Sequence, residues 1–197
     1  MFPHNFDESL SREQAQQAKA DAFYHRQFGA TDIVRYTDNT EDHMILQRQD
    51  IDLSFIKAGK QYLVSEKFRE KDFGDLYLET YSKYPGTKGW MHTNRADLLA
   101  YFFPTRMLLI NKKKLMTFYH ETLTPSVSEA FYAKLYNEYR NRSKIMTQSI
   151  RLKGADYKIN IIQAFNRTGN STWHTIGVSI PFELLDVFNV TYRIYPL

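Results

Sequence analysis

The stretch that most constrains this chain runs from Asp50 to Arg69, DIDLSFIKAGKQYLVSEKFR. Ile51, Leu53 and Phe55 alternate with Asp50, Asp52 and Ser54, and beyond Lys57-Ala58-Gly59-Lys60 the residues Tyr62, Val64 and Phe68 alternate with Leu63, Ser65 and Lys67. Alternation on both sides of a turn signal predicts a β-hairpin. With Ala58-Gly59 as a two-residue turn, Lys57 pairs with Lys60. Counting outward then sets Asp52 opposite Ser65, Ile51 opposite Glu66 and Asp50 opposite Lys67. Cross-strand neighbours sit roughly 5 Å apart. One face carries Ile51, Leu53, Phe55, Tyr62, Val64 and Phe68, with Glu66 near its end. The other gathers Asp50, Asp52, Ser65 and Lys67, so two carboxylates and an ammonium converge. Such a face is either a solvated sheet surface, where opposed Lys and Asp serve solubility, or a site.

The rest of the chain bounds what such a site can be. With 197 residues, 43% of them hydrophobic, and no Pro/Gly/Ser-rich linker, one domain with one sizeable core is expected. The absence of cysteine excludes disulfides and thiolate zinc sites, and the six histidines are scattered, so any bound metal is expected to be a hard cation held by oxygen. No window approaches the roughly 18 apolar residues of a bilayer span. The start, MFPHNFDESLSREQ, lacks the layout of a secretion signal, which sets the expectation of a cytoplasmic protein without membrane contact. A net charge of +4 suits a polyanionic partner without establishing one. The fourteen tyrosines, many beside Arg or Lys, fit either stacking on bases or bulk in a core, and core packing is the more common use.

Asp52, a turn, then Glu66-Lys67 within fifteen residues resembles the core of the PD-(D/E)XK nuclease superfamily, in which an Asp on one strand and an acid-x-Lys on the next hold a divalent metal. On that resemblance Asp52 takes the place of the first acid and Lys67 that of the motif lysine. Ser65 stands where the family has its second acid, and the side chain of Glu66, the nearest carboxylate, is expected on the opposite face. Asp50 or Glu79 can supply the second charge, or the chain keeps the fold without the activity. The backbone carbonyl of the middle motif residue, here Glu66, is a metal ligand in similar enzymes.

Ser11 with Gln14 reads as a capping box, opening a helix through Ala15, Ala18, Ala22 and Phe23 that stops near Gly29. Asp21 lies on or near its buried edge, and in similar nucleases an acid on the first helix leans over the metal site; the alternative is a surface residue paired with His25. Thr31 to Tyr36 and His43 to Gln47 read as short strands around the turn Thr37-Asp38-Asn39-Thr40. The run Gln47-Arg48-Gln49-Asp50-Ile51-Asp52 resembles a bacterial and phage subgroup with a glutamine before a Gly-Ile-Asp segment, and Asp50 stands where that glycine would be. Asp75 to Tyr81 reads as a third strand carrying Glu79, which matches the subgroup's glutamate in a Leu-aromatic-aromatic-Glu setting. A loop ending in Gly89-Trp90 follows, then Ala96-Asp97-Leu98, in the subgroup's order. Trp90 is a core plug or a stacking residue, and Asp97 is structural near the start of a helix expected from Thr93 or Asn94 to just before Pro104.

Arg106 to Ile110 reads as a buried strand. Lys112-Lys113-Lys114 is a solvated turn, or at the mouth of a nuclease cleft a set of phosphate contacts. Pro125 to Lys144 reads as the best helix, with Val127, Phe131, Leu135 and Tyr139 on one stripe. Tyr157 to Phe165 and Trp173 to Ile180 follow as strands, Pro181 to Phe188 as a short helix and Thr191 to Tyr195 as a last strand.

The resemblance covers residues 21–104, with 105–197 completing the core of a single domain, 1–197. It implies an α/β protein of the restriction-endonuclease-like type, a three-layer α/β/α arrangement around a central mixed sheet. It also implies an Mg²⁺- or Mn²⁺-dependent endonuclease acting on nucleic acid, with DNA the expected partner and a homodimer an admissible assembly. Asp52, Lys67 and Glu79 take the catalytic places; Asp52, Glu66, Glu79 and Asp50 those of metal ligands; Asp21 and Ser65 support them. The competing class is a nucleic-acid-binding or interaction protein on the same scaffold, and an RNA-processing enzyme is a third.

Overall fold

The computed structural model describes residues 4–197, with side chains from Gln16 onward. In chain order its elements are β1 (His4–Asn5), α1 (Phe6–Phe28), β2 (Thr31–Arg35), α2 (Glu41–Arg48), β3 (Leu53–Lys57), β4 (Lys60–Phe68), β5 (Asp75–Lys83), β6 (Thr87–Lys88), α3 (Trp90–Thr93), β7 (Leu98–Phe102) and β8 (Arg106–Asn111). Then come α4 (Lys112–Phe118), which continues through a π-helical turn at Tyr119–Leu123, α5 (Glu129–Glu138), β9 (Lys144–Leu152), β10 (Ala155–Thr168), β11 (Ser171–Pro181), α6 (Glu183–Val187) and β12 (Tyr192–Pro196). The protein is therefore α/β, but with two sheets instead of the single central sheet expected from sequence. The chain divides into two compact units assembled from interleaved segments. No helix among the described residues is long and apolar enough to cross a membrane.

The first unit holds Phe73–His92 and Met116–Asn189 with the residues up to Asp7. Its strands run β1-β10-β11-β5-β6, with β9 also paired to β10. Gly177 on β11 has no room for a side chain. A Cβ there would lie 2.5 Å from the Tyr77 ring, beside the register shift at Ile176/Gly177. Trp90 is buried and Tyr81, Tyr119 and Tyr132 are core residues, so these aromatics are bulk in this unit and not exposed stacking platforms.

The second unit holds Glu8–Asp72, Thr93–Leu115 and Val190–Leu197, with sheet order β12-β8-β7-β4-β3-β2. β4 and β7 are parallel and the other neighbours antiparallel. Helix α1 lays Ala20, Phe23, Tyr24 and Phe28 against Leu53, Phe55, Val64, Ala100 and Phe102. This is the apolar face expected of the hairpin, and its register holds from Lys57–Lys60 to Leu53–Val64; the pairs expected beyond it, Ile51–Glu66 and Asp50–Lys67, fall where β3 has ended and Asp50 sits in a turn. Ala58 and Gly59 both have positive φ, 49° and 74°, which is the I′ geometry that matches strand twist.

Several expected elements differ. Helix α1 is already helical from Phe6, so its start lies before Ser11; the side chains of the Ser11–Gln14 capping box and Ala15 lie outside the described residues. Ala18 and Ala22 are exposed, and the buried stripe falls on Ala20, Phe23, Tyr24 and Phe28. His43 to Gln47, expected as a strand, lies in α2, whose first turn carries Glu41 and Asp42 where helix polarity favours acids. The helix expected between Thr93 and Pro104 is instead β7. Four of its five residues are buried, and a strand covered on both faces reads as an apolar run without alternation. Lys112 is not in a solvated turn but buried at the head of α4, with Lys113 and Lys114 exposed. The long helix expected to Lys144 ends at Glu138, and β9 follows.

Candidate functional site

The hairpin delivers Asp52, Ser65 and Lys67 to one face of the second unit's sheet, and a local turn adds Asp50. Helix α2 ends with Ile51 N–H donating to the Leu46 carbonyl and Asp50 N–H to that of Gln47. That bond pair places Asp50 at the left-handed position after the helix, φ 52°, where glycine is the usual residue and Asp is tolerated. Asp50 thus occupies a glycine's place in the backbone while adding a carboxylate beside Asp52.

Asp52 is held by the backbone of β4. Its N–H donates to Val64 O (3.0 Å), and its Oδ2 accepts from Glu66 N–H (2.6 Å) and from Ser65 Oγ (3.3 Å). Lys67 Nζ lies 3.9 Å from Asp52 Oδ2 and 4.0 Å from Asp50 Oδ1, and Thr93 Oγ1 donates to Asp50 Oδ2. The side chains of Asp50, Asp52 and Lys67 are 27%, 39% and 24% exposed, so a ligand can reach all three. Behind them Lys112 Nζ donates to the carbonyl of Asn94, next to Thr93; burial, aided by Arg95, pushes this ammonium down to about 8 against the pull of Asp50.

Glu66 points the other way, as strand alternation requires. Its carboxylate, 2% exposed, accepts from Tyr24 OH (2.8 Å) and Arg35 Nη1 (2.7 Å), while Arg35 Nη2 and Nε reach Asp21 at 2.8–3.1 Å. Burial pushes both the Glu66 carboxyl and the Tyr24 hydroxyl upward, and Arg35 and Tyr24 pull Glu66 back. Asp21 therefore pairs with Arg35 on the α1 face, and His25 instead contacts the Ala30 carbonyl. The backbone N–H of Glu66 serves the open face through its bond to Asp52. N–H and C=O of one strand residue leave by the same edge, so its carbonyl opens beside the amide bonded to Asp52.

Glu79 belongs to the first unit, on β5 opposite Gly177. Gly89 passes so close over it that a Cβ would lie 2.6 Å from the Glu79 Cγ and carbonyl oxygen, which accounts for the glycine of the Gly-Trp pair. Asp97 is not at a helix start; its Oδ2 accepts from the Leu63 N–H of β4. Thr93 and Arg35 were not foreseen as partners of the acids, nor Lys112 as a buried neighbour of the site. They meet Asp50, Glu66 and Asn94 only through the fold, across sequence separations that leave no local signal.

The open face offers oxygen donors suited to a hard cation in the carboxylates of Asp50 and Asp52, with the Glu66 carbonyl on the adjoining strand edge. Mg²⁺ is commonly held by one or two carboxylates and keeps several waters, so this set fits it. Among the described residues no three His, Asp or Glu side chains form a metal-holding group. Comparisons with family models, curated proteins and solved structures return no match to this chain.

Proposed function

We propose that the Asp50–Asp52–Lys67 face is the site of a divalent-metal-dependent, DNA-directed phosphodiesterase, and that the second unit is a restriction-endonuclease-like core. The observation that carries this reading is Lys67 Nζ, 3.9 Å from Asp52 just ahead of the neighbouring strand, with both side chains partly exposed. Asp52, Asp50 and the Glu66 carbonyl would hold Mg²⁺ or Mn²⁺, which when bound supplies charge neutralisation at the phosphate and an activated water. The chain does the positioning. The Glu66 amide and Ser65 hydroxyl fix the rotation of Asp52, Thr93 fixes Asp50, and Lys67 offers a donor to the non-bridging phosphate oxygen or to the attacking water. Glu79 is retained as a candidate from the resemblance, without a geometric argument of its own.

Divalent-dependent nicking of plasmid DNA tests the reading. Cutting is expected from the wild type and lost in Asp52→Ala and Lys67→Ala; equal cutting by all three would come from a contaminant and remove the proposal. Ser65 supports a second reading, binding without cleavage. It is fully buried beside Asp52, where the family's second acid would stand, so only two side-chain carboxylates face the phosphate. DNA binding with no nicking, and none gained in Ser65→Asp, would favour that alternative.

A further inference from the structure

A second concavity in the second unit has no part in the reaction proposed above. It encloses about 650 Å³, within the range of small-ligand sites. One wall is α1, where Lys19, Ala22, Phe23 and Arg26 follow the i, i+3, i+4, i+7 spacing of a single helical stripe. The other wall is formed where β4 and β7 end, by residues 68–70 and 102–104. These are the sheet's parallel neighbours, and the crevice beyond the carboxyl ends of parallel strands is where α/β sheets take ligands. Phe68 follows Lys67 and so faces away from it, toward α1, which separates this cavity from the Asp50–Asp52–Lys67 face.

The lining decides the ligand class. Its floor is aromatic: Phe23 and Phe102 meet edge to face at 6.3 Å, and Phe68 stacks on Phe102 at 4.9 Å, so a further flat ring extends an existing array. Its rim carries Lys19, Arg26 and Arg69, three cationic side chains, beside Leu197 and the carboxylate side chain of Glu70. Lys19 and Arg26 are exposed, on the same helix face and two turns apart. We propose that this cavity binds a small aromatic anion, its ring on the Phe23–Phe68–Phe102 floor and its charge on Lys19 and Arg26. Aryl carboxylates and nucleoside monophosphates share that chemistry.

Calorimetric titration of the full chain with 3-phenylpropionate in one arm and uridine monophosphate in the other tests the assignment, with neutral 3-phenylpropanamide as control. Saturable binding is expected in at least one arm, and the arm that binds identifies the source of the ligand. The amide should bind at least about tenfold more weakly than the matching acid, as should either anion to Lys19→Gln/Arg26→Gln. Ala22→Trp, at an exposed lining position, should abolish binding; if circular dichroism shows that variant misfolded, the charge variant decides. Asp52→Ala should bind as the wild type does, which separates this result from the fate of the nuclease reading. No binding stronger than about 1 mM in either arm, or binding indifferent to Lys19→Gln/Arg26→Gln, would overturn the proposal.

Discussion

Glu66 and Lys67 are neighbours on β4, yet they belong to opposite kinds of electrostatic environment. On the α1 side, Glu66 sits in a closed network with contacts of 2.7–2.8 Å to Tyr24 and Arg35, and Arg35 passes the charge on to Asp21. On the other side Lys67 stands 3.9–4.0 Å from two carboxylates that remain a quarter or more exposed. A buried carboxylate must be satisfied where it lies, because no water can replace a lost partner. The open group is under no such constraint, and its loose spacing leaves room for a cation and a phosphate. Saturation, not residue type, separates the carboxylate that holds the fold from those able to do chemistry.

Removing Arg35 attacks that distinction most directly. Arg35→Ala leaves Glu66 buried without its counter-charge and should cost roughly 3–5 kcal/mol in urea denaturation, whereas Lys67→Ala, whose ion pairs to Asp50 and Asp52 are long and partly exposed, should cost no more than about 1 kcal/mol. Comparable losses in the two variants would mean that the open group is structural as well. The converse holds for activity: Asp52→Asn, which keeps an oxygen acceptor for the Glu66 amide and the Ser65 hydroxyl, should lower the nicking rate by about 10²–10³-fold in a single-turnover plasmid assay while its melting temperature barely moves.

At Asp50 the two roles meet in one residue. Its left-handed backbone favours glycine, so Asp50→Gly should be more stable than Asp50→Ala by about 1–2 kcal/mol, yet both should lose metal affinity, read by Mn²⁺ titration with electron paramagnetic resonance. The remaining effect, at Lys112, is read in its dependence on pH. Its folded value, about 8, lies below the ordinary 10.5, so the unfolded chain holds the extra proton between them. The stability it contributes is complete above pH 10.5 and is lost as pH falls through 8. Wild type should therefore gain stability on Lys112→Met as pH rises across that window, in parallel denaturation series.

The hairpin was legible because its register follows from a two-residue turn and a buried face; a slip by one residue would have exposed Leu53, Phe55 and Val64 together. The same alternation foretold that Glu66 would turn from Lys67. Strand β7 was not legible, since LLAYF, buried on both faces, carries no period that separates a short helix from a central strand. Helix α2 was missed because its apolar run, Met44-Ile45-Leu46, is too short to separate a helix turn from a strand. The division into two sheets was hidden for another reason. Strands that pair here lie far apart in the chain, β8 with β12 and β5 with β11, and no local pattern encodes such partners.

Strand β12 has a kinetic corollary. It pairs with β8 along its whole length, from Tyr192–Ile110 to Pro196–Arg106, so the sheet that presents the acids stays open at that edge until residues beyond 190 have left the ribosome. The hairpin emerges more than a hundred residues earlier. Through most of synthesis, then, β8 has an unpartnered flank, and a nascent chain stalled short of residue 190 would be the species most prone to pairing with its neighbours on a polysome.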